Sequence, residues 1–155
     1  MKSPAMNPLF GVIVLALAVL PFASADDVQN VTYYVQLVRG NNDDKPPLAE
    51  AKRIGPKLSK KLHPVFKWES YWELNRRRIE LAHGQKTKLR LSSEREVVID
   101  HSEAGKRSVT AYSNGKIVSR TTRPIGEAMT IIGGERDANS VWFIVVRRDT
   151  PTAGE

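Results

Sequence analysis

The sequence contains no cysteine among its 155 residues. Disulfides, cysteine-ligated metal sites and lipid attachment at a cysteine are therefore excluded. A small secreted eukaryotic domain would often carry disulfides, so their absence favours an origin in a bacterial envelope. The folded state must then be stabilised by its hydrophobic core.

The motifs of common enzyme classes are also absent. The chain has no G-x-S-x-G nucleophile elbow, no P-loop and no dinucleotide fingerprint. Its three histidines, His63, His83 and His101, lack the i, i+2 or i, i+4 partner typical of a zinc site. Asp100-His101-Ser102 lies at the end of a predicted strand, where neighbouring side chains point to opposite faces and cannot form a relay. We therefore predict no catalytic residue, no metal site and no cofactor.

Long apolar runs are missing, except at the N-terminus. Lys2 precedes the apolar stretch from Leu9 to Leu20, and Ala23-Ser24-Ala25 has the small-residue pattern of a cleavage site. The stretch is shorter than the ~20 residues of a membrane span, although an uncleaved anchor is the alternative. We predict a signal peptide over residues 1–25, cleaved after Ala25. The protein is then secreted or periplasmic and meets the membrane only before cleavage.

Negative charge is in short supply, with 24 Lys and Arg against 17 Asp and Glu. Among the charged side chains, the predicted signal peptide contains only Lys2, so its loss lowers the net charge from +7 to +6. This balance favours anionic partners such as an acidic polysaccharide, lipid headgroups or an acidic protein. Export argues against a nucleic-acid partner. The alternative is a basic surface that serves only solubility.

The remaining sequence is rich in strand patterns. Val141–Val146 is an unbroken β-branched and aromatic run, which predicts a strand over Ser140–Arg148 that is buried on both faces. Alternation predicts a first strand over Asn30–Arg39. In Phe66–Leu81 the apolar parity switches, which predicts a bulge or break near residues 75–78. A further strand, Ala128–Ile132, is predicted to stop at the following two glycines.

Two hairpins can be predicted with their registers. A three-residue loop between Thr87–Leu91 and Glu96–Asp100 places Leu89 opposite Val97 on the inner side. On the outer side, Lys86 and Arg90 then face acidic residues, which weakens a functional interpretation of this basic stripe. Asn114-Gly115 predicts a type I′ turn, with Ala111 opposite Val118 and Tyr112 opposite Ile117.

A single short helix is predicted within Ile54–Phe66, starting near Pro56 and ended by Pro64. Strands at short spacing without βαβ alternation indicate an all-β, mainly antiparallel fold. We expect a sandwich or small barrel of about seven or eight strands. A single domain over residues 26–149 is followed by a predicted flexible tail at residues 150–155.

The candidate binding residues are basic clusters at strand ends and on the helix. Arginine suits carboxylates and phosphates because its planar fork binds two oxygens. We predict a basic rim formed by Arg76, Arg77, Arg78, Lys57, Lys60 and Lys61.

The favoured function is that of an exported, non-catalytic envelope domain that binds a protein or an anionic polymer through this rim. One alternative is a small secreted hydrolase with a site built from loops, for which Glu69 and Glu73 are the candidate paired carboxylates. Another is a structural subunit that pairs through an exposed edge strand, with Asn30–Arg39 as the candidate edge. The oligomeric state is left open.

Overall fold

The computed structural model describes residues 30–152, without the side chains of residues 134 and 135. The predicted signal peptide and its cleavage site lie outside the described residues. The elements, in chain order, are β1 Val31–Asn41, β2 Lys52–Arg53, α1 Pro56–Phe66, β3 Ser70–Leu81, β4 Lys86–Arg90, β5 Arg95–Asp100, β6 Lys106–Ser113, β7 Lys116–Pro124, β8 Met129–Arg136 and β9 Ser140–Arg147.

The strands form two antiparallel sheets. A five-stranded sheet has the order β2-β3-β1-β9-β8, and a four-stranded sheet has the order β4-β5-β6-β7. The predicted fold class is confirmed, since the described chain is mostly antiparallel β-structure in two sheets with a single short helix. Residues 30–152 form nine strands, of which one is only two residues long, so the count is close to the expected seven or eight.

The main core lies between the two sheets. It combines alternate residues of β1, such as Tyr33 and Val35, with Val97 and Ile99 of β5 and Val109 of β6, all without solvent exposure. Burial of such side chains contributes about 1.5–3 kcal/mol each, so this interface is the chief stabilising feature of the sandwich.

A second core lies on the other face of the five-stranded sheet. Leu58 and Leu62 of α1 pack there against β9 residues that include Val141, Phe143 and Val145. The intervening β9 residues, among them Ile144, face the first core. Every residue of β9 is buried, which confirms the prediction of a strand covered on both faces.

The prediction that Asn30–Arg39 is an exposed edge strand is wrong. β1 pairs with β3 along one side and with β9 along the other, so its backbone groups are already used. Because β1 is the central strand of its sheet, it cannot accept a partner strand.

The β4–β5 hairpin has the predicted register, including Leu89 opposite Val97 and Lys86 opposite Asp100. The turn after β6 also forms as predicted, with φ of 48° at Asn114 and 76° at Gly115. Tyr112 lies opposite Ile117 as expected. Ala111, however, pairs with Ser119, because the register shifts between Ala111 and Tyr112.

Three predicted boundaries are wrong. Helix α1 continues through Pro64 to Phe66 and ends at Lys67, which has a left-handed conformation. The strand predicted to start at Phe66 starts only at Ser70, because helix α1 extends through Phe66. Strand β8 runs through both glycines and ends at Arg136, with a register shift between Gly133 and Arg136.

The bulge predicted in β3 is present one residue earlier than expected. Leu37 pairs with Asn75 and Val38 pairs with Glu73, so Leu74 is the extra residue. This insertion explains the switch of apolar parity in the sequence, because it turns the following side chains to the other face.

The segment after β9 runs back across the helix-bearing face. The Thr150 hydroxyl bonds to the Tyr34 hydroxyl at 3.1 Å, and Pro151 is buried. Gly55 allows close approach of the chain, since a Cβ atom there would lie 2.5 Å from the Thr152 hydroxyl oxygen. Residues 150–152 of the predicted tail therefore contact the domain, and residues 153–155 lie outside the described range.

Candidate functional site

The arginine triplet of the predicted rim does not form one surface. In the register between β3 and β1, Arg76 lies opposite Gln36 and Arg78 lies opposite Tyr34. Arg77 lies opposite Val35. Neighbouring residues of a strand point to opposite faces, so Arg77 is directed away from the other two. Arg76 and Arg78 therefore lie on one face of β3 and Arg77 lies on the other.

The lysines of the predicted rim lie on the exposed side of α1. Lys57 bonds to the Asp149 carboxylate at 2.7 Å. Lys60 and Lys61 are exposed, and no carboxylate of the described chain forms an ion pair with either. The i, i+3 and i, i+4 spacing places these three lysines next to one another, so this half of the rim does form a surface.

Lys57 and Arg76 both contact the segment that follows β9. Lys57 contacts Asp149, and the Arg76 guanidinium donates to the Pro151 carbonyl at 3.4 Å. Arg76 also pairs with Glu73 at 3.0 Å, and Arg78 pairs with Glu80 at 2.7 Å. Half of the six rim cations are therefore matched by local carboxylates. The other three are Lys60 and Lys61 on the helix and Arg77 on the opposite face of β3.

A second cluster of basic residues lies on the outer face of the four-stranded sheet. Strand register aligns three cross-strand rows there, with four cations and two carboxylates. The rows are Lys86–Asp100–Ser108–Thr122, Lys88–Val98–Thr110–Arg120 and Arg90–Glu96–Tyr112–Ile117.

The two carboxylates of this face are shared between cations. Lys88 lies 2.8 Å and Arg90 3.6 Å from the Glu96 carboxylate. The hydrogen bond from Lys88 is the main reason that the pKa of Glu96 lies below its usual value. The pKa of Asp100 is lowered chiefly by hydrogen bonds from Ser102, with smaller contributions from Lys86 and Arg120. Both carboxylates are thus charged at neutral pH, and two positive charges are in excess.

The face also has apolar character. A depression of about 500 Å³ is open to solvent and is lined by the central row together with Tyr112 and Ile117. The Lys88 ammonium lies 5.3 Å from the centre of the Tyr112 ring. The Ile117 side chain, on the same face, is 61% exposed to solvent. Cations, an aromatic ring and an exposed aliphatic side chain therefore share one open surface.

The β4–β5 part of this face was predicted from the sequence, as a basic stripe that cross-strand acids partly neutralise. The hairpin register correctly placed each strand-end cation opposite an acid. It also placed Lys88 opposite Val98, as observed, but it missed that Arg120 of β7 joins the same face. The usable signal was the Asn-Gly turn, because it fixes β7 beside β6.

The Asp100-His101-Ser102 sequence does not form a catalytic relay. The Asp100 carboxylate accepts the Ser102 backbone N–H at 2.7 Å. His101 is only 1% exposed, and its Nε2 bonds to the Tyr33 hydroxyl at 3.0 Å. Burial is the main cause of a lowered His101 pKa. This imidazole is a neutral core group and does not face solvent.

Glu69 and Glu73, the candidate carboxylates of a hydrolase, have structural roles or positions that do not bring them together. Glu73 accepts hydrogen bonds from Gln36 and from Arg76. Glu69 precedes β3, and its backbone N–H bonds to the Asn42 side chain. Glu69 therefore lies outside the strand that carries Glu73, and the two carboxylates do not share a strand face.

Within residues 30–152, no group of three or more His, Asp or Glu side chains is arranged to hold a metal ion. The described helix is too short and too polar to cross a membrane. Comparisons with protein-family models, with curated proteins and with solved structures give no match.

Proposed function

We propose that this protein is an exported, non-catalytic envelope domain that binds an anionic polymer or an acidic protein. The outer face of the four-stranded sheet is the contact surface in this proposal. Export rests on the signal-peptide pattern of residues 1–25. The single observation that supports binding is the excess of four cations over two carboxylates on one open sheet face.

Electrostatic attraction of this kind has a recognisable dependence on salt. Exposed charges are screened beyond a Debye length of ~10 Å at 0.1 M salt, so binding weakens as salt rises. Each exposed contact contributes about 0.2–1 kcal/mol. Several contacts are therefore needed for measurable affinity, and the clustering of Lys86, Lys88 and Arg90 on β4 meets this need.

The test compares two double variants with the same loss of charge. Lys86→Ala with Lys88→Ala changes the sheet face, and Lys60→Ala with Lys61→Ala changes the helix. The protein is produced with its own N-terminus, so that any processing occurs, and binding to immobilised polygalacturonate and polyglutamate is measured at about 0.05 M and about 0.5 M salt. We expect the wild type to bind at low salt, and the sheet variant to lose about tenfold, or about 1.4 kcal/mol.

The helix variant is expected to stay within about twofold of wild type, since its lysines lie on another surface. Equal losses in both variants, or a larger loss in the helix variant, would contradict the assignment to the sheet face. Binding that is insensitive to salt, or absent for both probes, would contradict the proposed function.

A further inference from the structure

The cations of β4 have a regular spacing. Lys86, Lys88 and Arg90 occupy alternate residues of an edge strand, and a strand rises about 3.4 Å per residue. Their side chains therefore leave the sheet at intervals of about 7 Å along one straight row. All three side chains are exposed to solvent. Such a row complements an extended chain with regularly repeated negative charges.

The apolar side chains lie next to this row. Tyr112 and Ile117 face each other across β6 and β7 and continue the row that starts with Arg90 and Glu96. Lys88 reaches over the Tyr112 ring at 5.3 Å, so one ligand unit can meet a cation and an aromatic ring together. A ligand that covers Ile117 also removes its 61% exposed surface from water, which is favourable.

We infer that the ligand of this face is an extended acidic polysaccharide. Its carboxylates meet the cations of β4, and the apolar faces of its sugar rings pack on Tyr112 and Ile117. Polyphosphate offers charge without an apolar face, and an acidic peptide offers few apolar groups between its carboxylates. This inference rests on the proposed function and adds the chemical class of the ligand.

A plain solvated sheet surface is the alternative explanation. It would attract polyanions by charge alone and would not distinguish between them. The distinction therefore lies in Tyr112 and Ile117, which affect binding only if the ligand has an apolar surface to offer.

The experiment uses three probes of about ten charges each: an oligogalacturonate, a linear polyphosphate and an oligoglutamate. The variant combines Tyr112→Ser with Ile117→Thr, which keep the charge unchanged. The control is Val65→Thr, since Val65 is a comparably exposed aliphatic residue, 67% exposed, at the end of α1. We expect the double variant to bind oligogalacturonate about tenfold more weakly and polyphosphate within about twofold of wild type.

Thermal melting of each variant checks that the fold is retained, which the exposed position of Ile117 favours. Equal losses for all three probes, or no loss for oligogalacturonate, would overturn the polysaccharide assignment while the proposed function stands. Absence of salt-dependent binding to every probe in the wild type would overturn both.

Discussion

Three polar side chains form a buried chain in the core between the sheets. Arg107 is fully buried, and it donates to the Glu127 carbonyl at 3.2 Å and to the Thr130 hydroxyl. Its guanidinium lies 5.1 Å from the centre of the Tyr33 ring, and the Tyr33 hydroxyl bonds to His101. Among the described residues, no carboxylate pairs with Arg107. The region therefore holds a buried positive charge beside a neutral imidazole.

We predict that His101 makes the protein less stable in mild acid. Burial is the largest cause of its lowered pKa, His83 and Arg107 lower it further, and Asp100 and a backbone hydrogen bond involving Ala82 oppose the shift. The unfolded chain takes up a proton below its ordinary pKa of about 6.5, and the folded chain does not. The free energy of unfolding should thus fall by up to about 1.4 kcal/mol per pH unit below about pH 6.5.

Urea unfolding between about pH 8 and about pH 5 measures this slope. His101→Gln removes the titrating group and should flatten the curve in that range, whatever its effect on stability at pH 8. A variant curve as steep as that of the wild type would show that another group is responsible.

The buried position of His101 could not be predicted from the local sequence. Strand pattern ends at Asp100, so His101 looks like a polar residue at a strand end. Its backbone N–H donates to the Gln85 carbonyl at 2.8 Å, and its carbonyl accepts from Gly84. The turn between β3 and β4 therefore holds His101 inside, and this long-range contact leaves no local signal.

At the scale of elements, the clearest departure from local rules is Pro64 inside α1. Proline lacks an N–H, so Pro64 cannot donate to the carbonyl of Lys60 four residues earlier. Sequence rules therefore place the end of the helix before it. The helix continues because Leu62 and Phe66 both pack against the second core, and the Lys67 backbone N–H closes its last turn on His63.

We predict that Pro64→Ala stabilises the protein. The variant restores a helical hydrogen bond, and it removes a residue that costs about 3 kcal/mol in a helix interior. The gain is reduced by the greater freedom of the unfolded chain, by about 0.4–1 kcal/mol. The net expectation is a gain of about 2–2.6 kcal/mol in the free energy of unfolding, measured by urea unfolding. Lys61→Ala, an exposed change in the same helix, should alter stability by less than about 0.5 kcal/mol, and a loss of stability in Pro64→Ala would contradict this account.

Elements with a polar and an apolar face were predictable in detail. The β4–β5 register followed from matching Leu89 to Val97, because a slip by one residue would turn the apolar side chains to water. The register shift at Ala111 was not predictable, since it depends on Val118 reaching the main core. The pairing of neighbouring strands can thus be predicted from the alternation of polar and apolar residues. The position of a bulge depends on how side chains of the two sheets pack against each other.

At the scale of the molecule, convergence of charge depends on strand order. Arg120 joins Lys88 on one face only because β5 and β6 lie between their strands in the same sheet. Arg77 points to the opposite face from Arg76 and Arg78 because all three lie in strand β3, where successive side chains alternate between faces. Neither fact can be obtained from clusters in the sequence, so the basic composition was predictable and the surface that carries it was not.

The C-terminal segment joins parts of the molecule that are distant in sequence. Arg147 is 3% exposed, and its guanidinium pairs with Asp149, which also accepts the bond from Lys57. The hydrogen bond from Arg147 is the main reason that the pKa of Asp149 lies far below its usual value. The stability contributed by this carboxylate is present above its ordinary pKa of about 3.8 and is lost as pH falls below it.

We predict that Asp149→Asn lowers the free energy of unfolding at neutral pH by about 1–3 kcal/mol. Loss of a partner leaves the buried Arg147 charge uncompensated, which costs about 3–5 kcal/mol at a fully buried site. The effect is smaller here because Asp149 is about one-third exposed to solvent. Lys57→Ala is the matched control: it removes only the exposed partner of the same carboxylate and should cost less than about 1 kcal/mol. Equal effects of the two variants in urea unfolding would show that Arg147 does not depend on Asp149. A larger effect of Asp149→Asn is the expected result, because only this variant leaves the buried Arg147 guanidinium without its carboxylate.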